Sequence, residues 1–290
     1  MIKVNLECFP CFLKQVVTTC SHGGVTEDLA LSCLSESSRY LSTIQIEEVP
    51  ARIATKLHEI VRTVSGVDDP FRLLKDEEMG GFSEMRAAVR EKVMSSTDPV
   101  NDALFYSGAG NMFDYGIISR ESARNFLRDI PSIKRRIFFS DASKDALLNS
   151  KKVGILLDNT GEAPFDVVLA EVLQEMGVQV WLGVKGGPVI DDITFDDASV
   201  LGLPGEFEVL SNGNRGVGTD LESCSSEFIN ALEESDLILS KGQANFETLW
   251  GTLEKGFFLF VCKCPVIEGI TGEAFGTIIL KDGREPHEKV

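Results

Sequence analysis

The chain predicts an α/β fold: a three-layer α/β/α core on a mostly parallel sheet, with an N-terminal helical subdomain. Two observations predict it. After Asp98-Pro99, short apolar runs alternate with amphipathic helical patterns, the order that builds a parallel sheet covered by helices. Before that point the chain carries helical stripes and almost no strand-like run. The boundary is therefore expected there, with residues 1–98 helical and 99–290 forming the core. A length of 290 residues suits one large domain or two modest ones, at ~100–200 residues per domain.

The elements follow in order. Leu29, Cys33, Leu34 and Leu41 fall on one helical stripe. Ile53, Leu57, Ile60, Val61 and Val64 form a second, which stops at Ser65-Gly66. Met85, Ala88, Val89 and Val93 form a third. Asp69-Pro70 opens a new segment, with proline at a first helical position. Strands are expected at Val153–Leu157, Val178–Val184, Phe207–Leu210, Leu237–Leu239 and Phe257–Cys262. Helices are expected at Val168–Met176, Ser226–Glu234 and Glu247–Leu253. No repeat at solenoid periods and no low-complexity tract interrupts them.

Composition excludes several classes. Lys and Arg number 28 against 45 Asp and Glu, a formal charge of −17. That argues against a nucleic-acid partner, whose phosphates need basic side chains. No run of roughly 18 apolar residues exists, so no membrane span is expected. The start, with Glu7 and Lys14 inside its apolar stretch, does not read as a secretory signal, and a cytoplasmic chain is expected. Seven cysteines, an odd number in a long chain, are expected as free thiols or metal ligands. The histidines His22, His58 and His287 show no pairing at ligand spacing.

In parallel sheets ligands bind beyond the carboxyl ends of the strands, so the residues after each apolar run matter most. The first strand is followed by Asp158-Asn159-Thr160-Gly161-Glu162. Asp and Asn oxygens are hard ligands for Mg²⁺ or Mn²⁺; the same residues also serve as a turn with a helix N-cap. The next strand leads through Lys185-Gly-Gly-Pro to Asp191-Asp192-Ile-Thr194, a second acidic tip or a solvated loop. Carboxylates gathered in one cleft repel without a cation. Lys241-Gly242-Gln243-Ala244-Asn245 follows the Leu237 strand and suits a phosphate, although the Walker A spacing is absent. Ser107-Gly-Ala-Gly110-Asn111-Met-Phe-Asp114 places Asn111 and Asp114 three apart, on one face of a helical turn. Together these residues point to phosphoryl chemistry. A hard cation would be held by Asp158, Asn159 and one of Asp191 or Asp192, with Lys241 facing the phosphate. The acidic surface opposes an anionic ligand at long range, but such fields are screened within ~8 Å at physiological salt.

The ordered set resembles the metal-dependent damage-control phosphatases, the family of domain of unknown function eighty-nine. Three stretches carry the resemblance: Asp158-Asn159-Thr-Gly161-Glu162 with Asp166, Lys241-Gly242-Gln243-Ala-Asn245-Phe246-Glu247, and Gly110-Asn111-Met-Phe-Asp114. Gly187-Pro188-Val-Ile-Asp191-Asp192-Ile-Thr194 looks like the family's Asn-Asp-x-Thr stretch, with Asp191 where Asn is usual. Cys8-Phe-Pro-Cys11 and Lys263-Cys264-Pro265 resemble its cysteine-bearing prokaryotic-type subgroup. The resemblance implies a divalent cation (Mn²⁺, Co²⁺, Ni²⁺ or Mg²⁺) on Asp158, Asn159 and Asp192. It implies hydrolysis of small phosphate monoesters, such as sugar phosphates or damaged phosphometabolites. Catalytic roles fall on Asp158, Asn159, Asp192 and Lys241. Substrate contacts fall on Asn111, Asp114, Glu162, Gly242, Gln243 and Asn245. Cys8, Cys11 and Cys264 form a second, thiol cluster that would hold zinc, form a redox disulfide or remain buried thiols. The alternatives are a non-catalytic phosphometabolite-binding protein and a carboxyl methyltransferase using S-adenosylmethionine.

Overall fold

A computed structural model of the chain describes residues 2–112 and 141–284. Five helices come first: α1 (Cys8–His22), α2 (Glu27–Leu41), α3 (Pro50–Ser65), α4 (Arg72–Met94) and α5 (Pro99–Gly110). After α6 (Asp141–Asn149) strands and helices alternate: β1 (Lys152–Leu156), α7 (Ala163–Glu175), β2 (Gln179–Val184), α8 (Phe195–Val200), β3 (Glu208–Ser211), α9 (Ser226–Glu234), β4 (Leu237–Lys241), α10 (Gln243–Leu249), β5 (Gly256–Val261), α11 (Pro265–Thr271) and β6 (Ile278–Asp282). The sheet runs β3-β2-β1-β4-β5-β6. All pairings are parallel except β5 with β6. The strand order reverses between β1 and β4, and such a switch point opens a crevice at the strand tips.

Side chains alternate across the sheet, as period-2 strands require. Val153, Ile155 and Leu157 face a core completed by α4, α5 and α7 through Val89, Leu104 and Phe165. Leu156, Trp181, Ile238 and Phe258 face the opposite core, with Phe228 of α9 and Phe246 of α10. Gly154 is needed in mid-strand because a Cβ there would lie 2.5 Å from the Trp181 ring. A third core joins α1, α2 and α3 through Val16, Cys33, Ile53 and Leu57, and it takes in Val189 and Val217 from the loops after β2 and β3. The first three helices therefore pack against the tips of the sheet. Among the described residues, no helix is long and apolar enough to cross a membrane.

The stripe ending at Ser65-Gly66 is α3, with Pro50 in its first turn and Gly66 closing it at φ +75°. Pro70 precedes α4 instead of starting it. Asp98 caps α5 by accepting from Asn101 N at 3.3 Å, with Pro99 beginning the helix. Some expected bounds are corrected. The helix expected at Glu247–Leu253 is Gln243–Leu249: Trp250 leaves helical backbone and Gly251 turns the chain at φ +80°. The strand expected at Leu237–Leu239 continues through Ser240 and Lys241, both fully buried. The helix expected from Val168 starts at Ala163, with Pro164 in its first turn. Helices α8 and α11 and the edge strand β6 were not expected.

Candidate active site

The tips of β1 and β2 are fastened to each other. Ile193 N donates to Asp158 O at 2.9 Å, and Thr160 donates to Asp191 O from both N and Oγ1, each at 2.9 Å. Asn159 lies opposite Asp192 in an isolated antiparallel bridge, and Lys185 opposite Thr194 in a parallel one. This backbone zip brings Asp158 and Asn159 beside Asp192. Ile190 just before the acidic pair holds φ +46°. A β-branched residue there is strained, and such strain persists only where surrounding structure imposes it.

Asp158 and Asn159 occupy a strand-to-helix turn, yet Asn159 makes no capping hydrogen bond with its side chain. Capping does not explain these residue types. Gly242 explains the position of Asp158. It holds φ +81° and ψ 156°, a region essentially reserved for glycine. A Cβ there would lie 1.8 Å from Asp158 Oδ2, so the carboxylate rests directly against the backbone that opens α10.

Behind the tips lies a buried polar network. Asn111, ending α5, donates from Nδ2 to Asp158 Oδ2 at 3.3 Å and to Glu162 Oε1, and its Oδ1 accepts from Val261 N at 2.9 Å. Lys241 Nζ donates to Asp166 Oδ1 at 2.7 Å, Ser107 O at 3.0 Å and Glu162 Oε2 at 3.2 Å. Ser107 Oγ also donates to Asp166 Oδ1, at 2.6 Å. Lys185 Nζ lies 3.3 Å from Asp192 Oδ2. Asp158, Glu162, Asp166 and Asp192 are all buried, and among the described residues the buried ammoniums against them are Lys185 and Lys241. Among the described residues these carboxylates outnumber the buried ammoniums. Burial first, then the charges of Asp192 and Glu162, hold the Asp158 carboxyl well above the usual range.

Asp158, Asn159, Asp191 and Asp192 line a cleft of about 370 Å³ between the strand tips and the helices α1 and α3. Lys263, Gln243, Glu247 and the thiols of Cys8, Cys11 and Cys264 line it too. Gln243 organises that side, donating to Glu247 Oε1 at 2.9 Å and Cys264 Sγ at 3.5 Å and accepting from Lys263 N at 3.1 Å. Burial pushes the Cys8 and Cys264 thiols up.

The structure thus gathers most of the residues expected from sequence, in two shells. Asp158, Asn159, Asp192, Gln243 and the three thiols face the cleft. Asn111, Glu162, Lys241 and Asn245 are buried outside its lining. Asn245 ties the loop, donating to Lys241 O at 2.7 Å and accepting from Thr219 Oγ1 at 2.8 Å. Asp114 lies outside the described residues. Two lysines were missed. Lys263 lies two residues past β5, so the strand-tip rule reaches it, and its charge favours ionised Asp158 and Glu162. Lys185 immediately follows β2.

A divalent cation fits the cleft-facing donors. The acceptors are hard oxygens, the buried carboxylates outnumber the buried ammoniums among the described residues, and the glycine cradle fixes Asp158. Among the described residues, no three His, Cys, Asp or Glu side chains form a ready-made cage. The candidate set is two carboxylates and one carboxamide.

Residues 4–279 match the damage-control phosphatase ARMT1-like domain. The chain belongs to this family. A protein of Archaeoglobus fulgidus described as a damage-control phosphatase is 31% identical over 287 residues, covering 97% of this chain and 99% of its own. A damage-control phosphatase of Pyrococcus horikoshii is 28% identical, covering 92% of this chain and 93% of its own. The crystal structure of a DUF89-family protein from that organism superposes with a TM-score of 0.88 at 26% identity, covering 98% of this chain and 100% of that one. Family and fold agree with the expectation from sequence, and phosphatase relatives match the chain almost end to end.

Proposed function

We propose that this member of the family is a metal-dependent phosphomonoesterase acting on small phosphorylated metabolites, with Asp158, Asn159 and Asp192 as the cation's protein ligands. One observation carries the reading: Asp158, Asn159 and Asp192, from adjacent strand tips joined by a backbone bridge, line one cleft together with Lys263. When bound, a divalent cation supplies Lewis acidity at a phosphoryl oxygen and helps orient the attacking group.

The chain's own residues do the rest. Asp158 is held by Gly242 on one side and Asn111 on the other, so its oxygens are oriented in advance. Lys263 offsets charge on the phosphate at the cleft wall. Lys241, with all three donors used on protein oxygens, holds Glu162 and Asp166 in place and acts on the phosphate through the site's field. Its role thus differs from direct phosphate contact.

The test is phosphate release from a panel of sugar phosphates with Mn²⁺, Co²⁺, Ni²⁺ or Mg²⁺ added to chelator-treated protein. Metal-stimulated release that Asp158→Ala abolishes, in a variant with an unchanged circular dichroism spectrum, supports the proposal. Equal turnover in that variant removes it.

A further inference from the structure

Cys8, Cys11 and Cys264 line the cleft, and all three are free thiols. Two of them share the first turn of α1. Cys8 is the first residue of the helix and Cys11 follows after Phe9 and Pro10. Cys11 is exposed and Cys8 half-buried, whereas Cys20, Cys33 and Cys262 are buried. Its exposure removes Cys11 from the packing thiols. Among the described residues, no three His, Cys, Asp or Glu side chains form a metal cage. Residues i and i+3 of a helix share a face, with Cβ atoms about 5–6 Å apart. A disulfide needs about 3.5–4.5 Å, so the turn must tighten by about 1–2 Å. Little opposes that. Cys8 N and Phe9 N donate to Asn5 O at 2.9 Å and Leu6 O at 3.2 Å, outside the α-helical ladder. Pro10 has no N–H to lose, and its ring fixes φ near the helical value. Each sulfur also accepts from nitrogen: Asn5 N donates to Cys8 Sγ and Gln15 Nε2 to Cys11 Sγ, both at 3.5 Å. Such donors favour the thiolate, the species that exchanges with disulfides.

We propose that Cys8 and Cys11 are a redox site, which a low-molecular-weight disulfide converts reversibly into an intrahelical disulfide on the cleft wall. Cys11, the exposed thiol, is the point of entry. Burial pushes the Cys8 thiol up, which suits it to react second. The Cys11 thiolate attacks one sulfur of the incoming disulfide and expels one thiolate, leaving a mixed disulfide on Cys11. Cys8 then attacks the Cys11 sulfur, the Cys8–Cys11 bond forms, and the second thiolate leaves. The protons of Cys8 and Cys11 end on the two released thiols. The pair has lost two electrons, and the incoming disulfide has gained them. Cys264 is the rival partner for Cys8. It sits on the segment between β5 and α11, where Gln243 Nε2 donates to its sulfur at 3.5 Å. Pairing with it joins two separate elements, whereas pairing with Cys11 asks one turn to tighten. The site uses neither cation nor phosphate, so it goes beyond the phosphatase reading and stands apart from it.

The full chain is incubated with oxidised glutathione, quenched in acid, unfolded, alkylated and digested with trypsin. Lys3 and Lys14 flank both thiols, so one peptide, residues 4–14, carries the pair. Mass spectrometry should find that peptide short of two hydrogens and closed to alkylation, and dithiothreitol should restore it. Cys20, Cys33 and Cys262 should stay alkylatable throughout. Cys8→Ser should stop at one glutathionyl group on Cys11, and Cys11→Ser should leave Cys8 reduced. Circular dichroism spectra like the parent's show that the variants fold, and the parent's own disulfide map decides the question without them. A crosslink of Cys8 to Cys264 as the main product overturns the proposal. So does a peptide 4–14 still open to alkylation after oxidised glutathione, or a folded Cys8→Ser protein whose Cys11 stays unmodified. No step reads hydrolysis, so a chain that releases no phosphate can still form this disulfide, and an active phosphatase can fail to form it.

Discussion

Gly242 and Asp158 are in contact so close that no side chain fits between them: a Cβ on Gly242 would lie 1.8 Å from Asp158 Oδ2. Gly242→Ala therefore combines backbone strain of about 1–3 kcal/mol with displacement of the proposed cation ligand. The variant should lose stability and nearly all metal-stimulated hydrolysis. Gly177→Ala is the control, since Gly177 has φ +88° but no atom within 4 Å of an added Cβ; it should melt earlier and keep its activity. Thermal melts and phosphate-release rates of the two variants make the comparison.

Asp158→Asn should separate folding from cation binding. The substitution removes a buried charge that Asp192 and Glu162 repel, so chelator-treated protein should unfold at an equal or higher temperature than the parent. The parent should gain about 2.7 kcal/mol when free metal is 100 times its Kd, and the variant should gain almost nothing. Calorimetry with and without Mn²⁺ reads both; a full metal-induced gain in the variant would exclude Asp158 as a ligand.

The two lysines should behave differently. Lys241→Met strands Glu162 and Asp166 in the interior, and breaking a buried pair this way costs about 3–5 kcal/mol. Adding Glu162→Gln and Asp166→Asn should recover much of that stability in urea unfolding. Lys263→Ala should raise KM for a phosphate ester about tenfold, the measure of one lost charge-assisted contact, with a smaller loss of stability than Lys241→Met.

Glu247 and His58 line the same cleft and pull stability in opposite directions with pH. Burial pushes Glu247 up to about 7 from 4.5. Between those values the folded chain keeps a proton that the unfolded chain has released, so this contribution falls as pH rises. His58 is lowered to about 4 from 6.5. There the unfolded chain binds the extra proton, so its contribution rises with pH. Relative to the parent, Glu247→Gln should gain stability as pH climbs from 4.5 to 7, by about 3 kcal/mol in all. His58→Phe should gain as pH drops from 6.5 to 4. Urea midpoints at several pH values test both slopes.

Much of this was legible in the sequence because the cation donors directly follow apolar runs. Asp158 and Asn159 follow β1 within three residues, and Asp191-Asp192 sit on the next tip. Local pattern falters where polar residues are buried in regular structure. Ser240 and Lys241 belong to a strand that polarity hides, and Gln243 opens a helix whose apolar pattern suggests a start four residues later. It fails for contacts made only in three dimensions. The bond between Val261 N and Asn111 spans 150 residues, and His58 meets Thr19 from 39 residues away.

The cleft is built from two parts of the chain with different hydrophobic cores: its floor from the tips of β1 and β2, its far wall from α1 and α3. Substitutions in the wall can retune which molecule is admitted while the reacting end is left alone. Descendants of one ancestral chain could in this way share a chemistry and diverge in diet, by exchanging a few helix residues near the amino terminus.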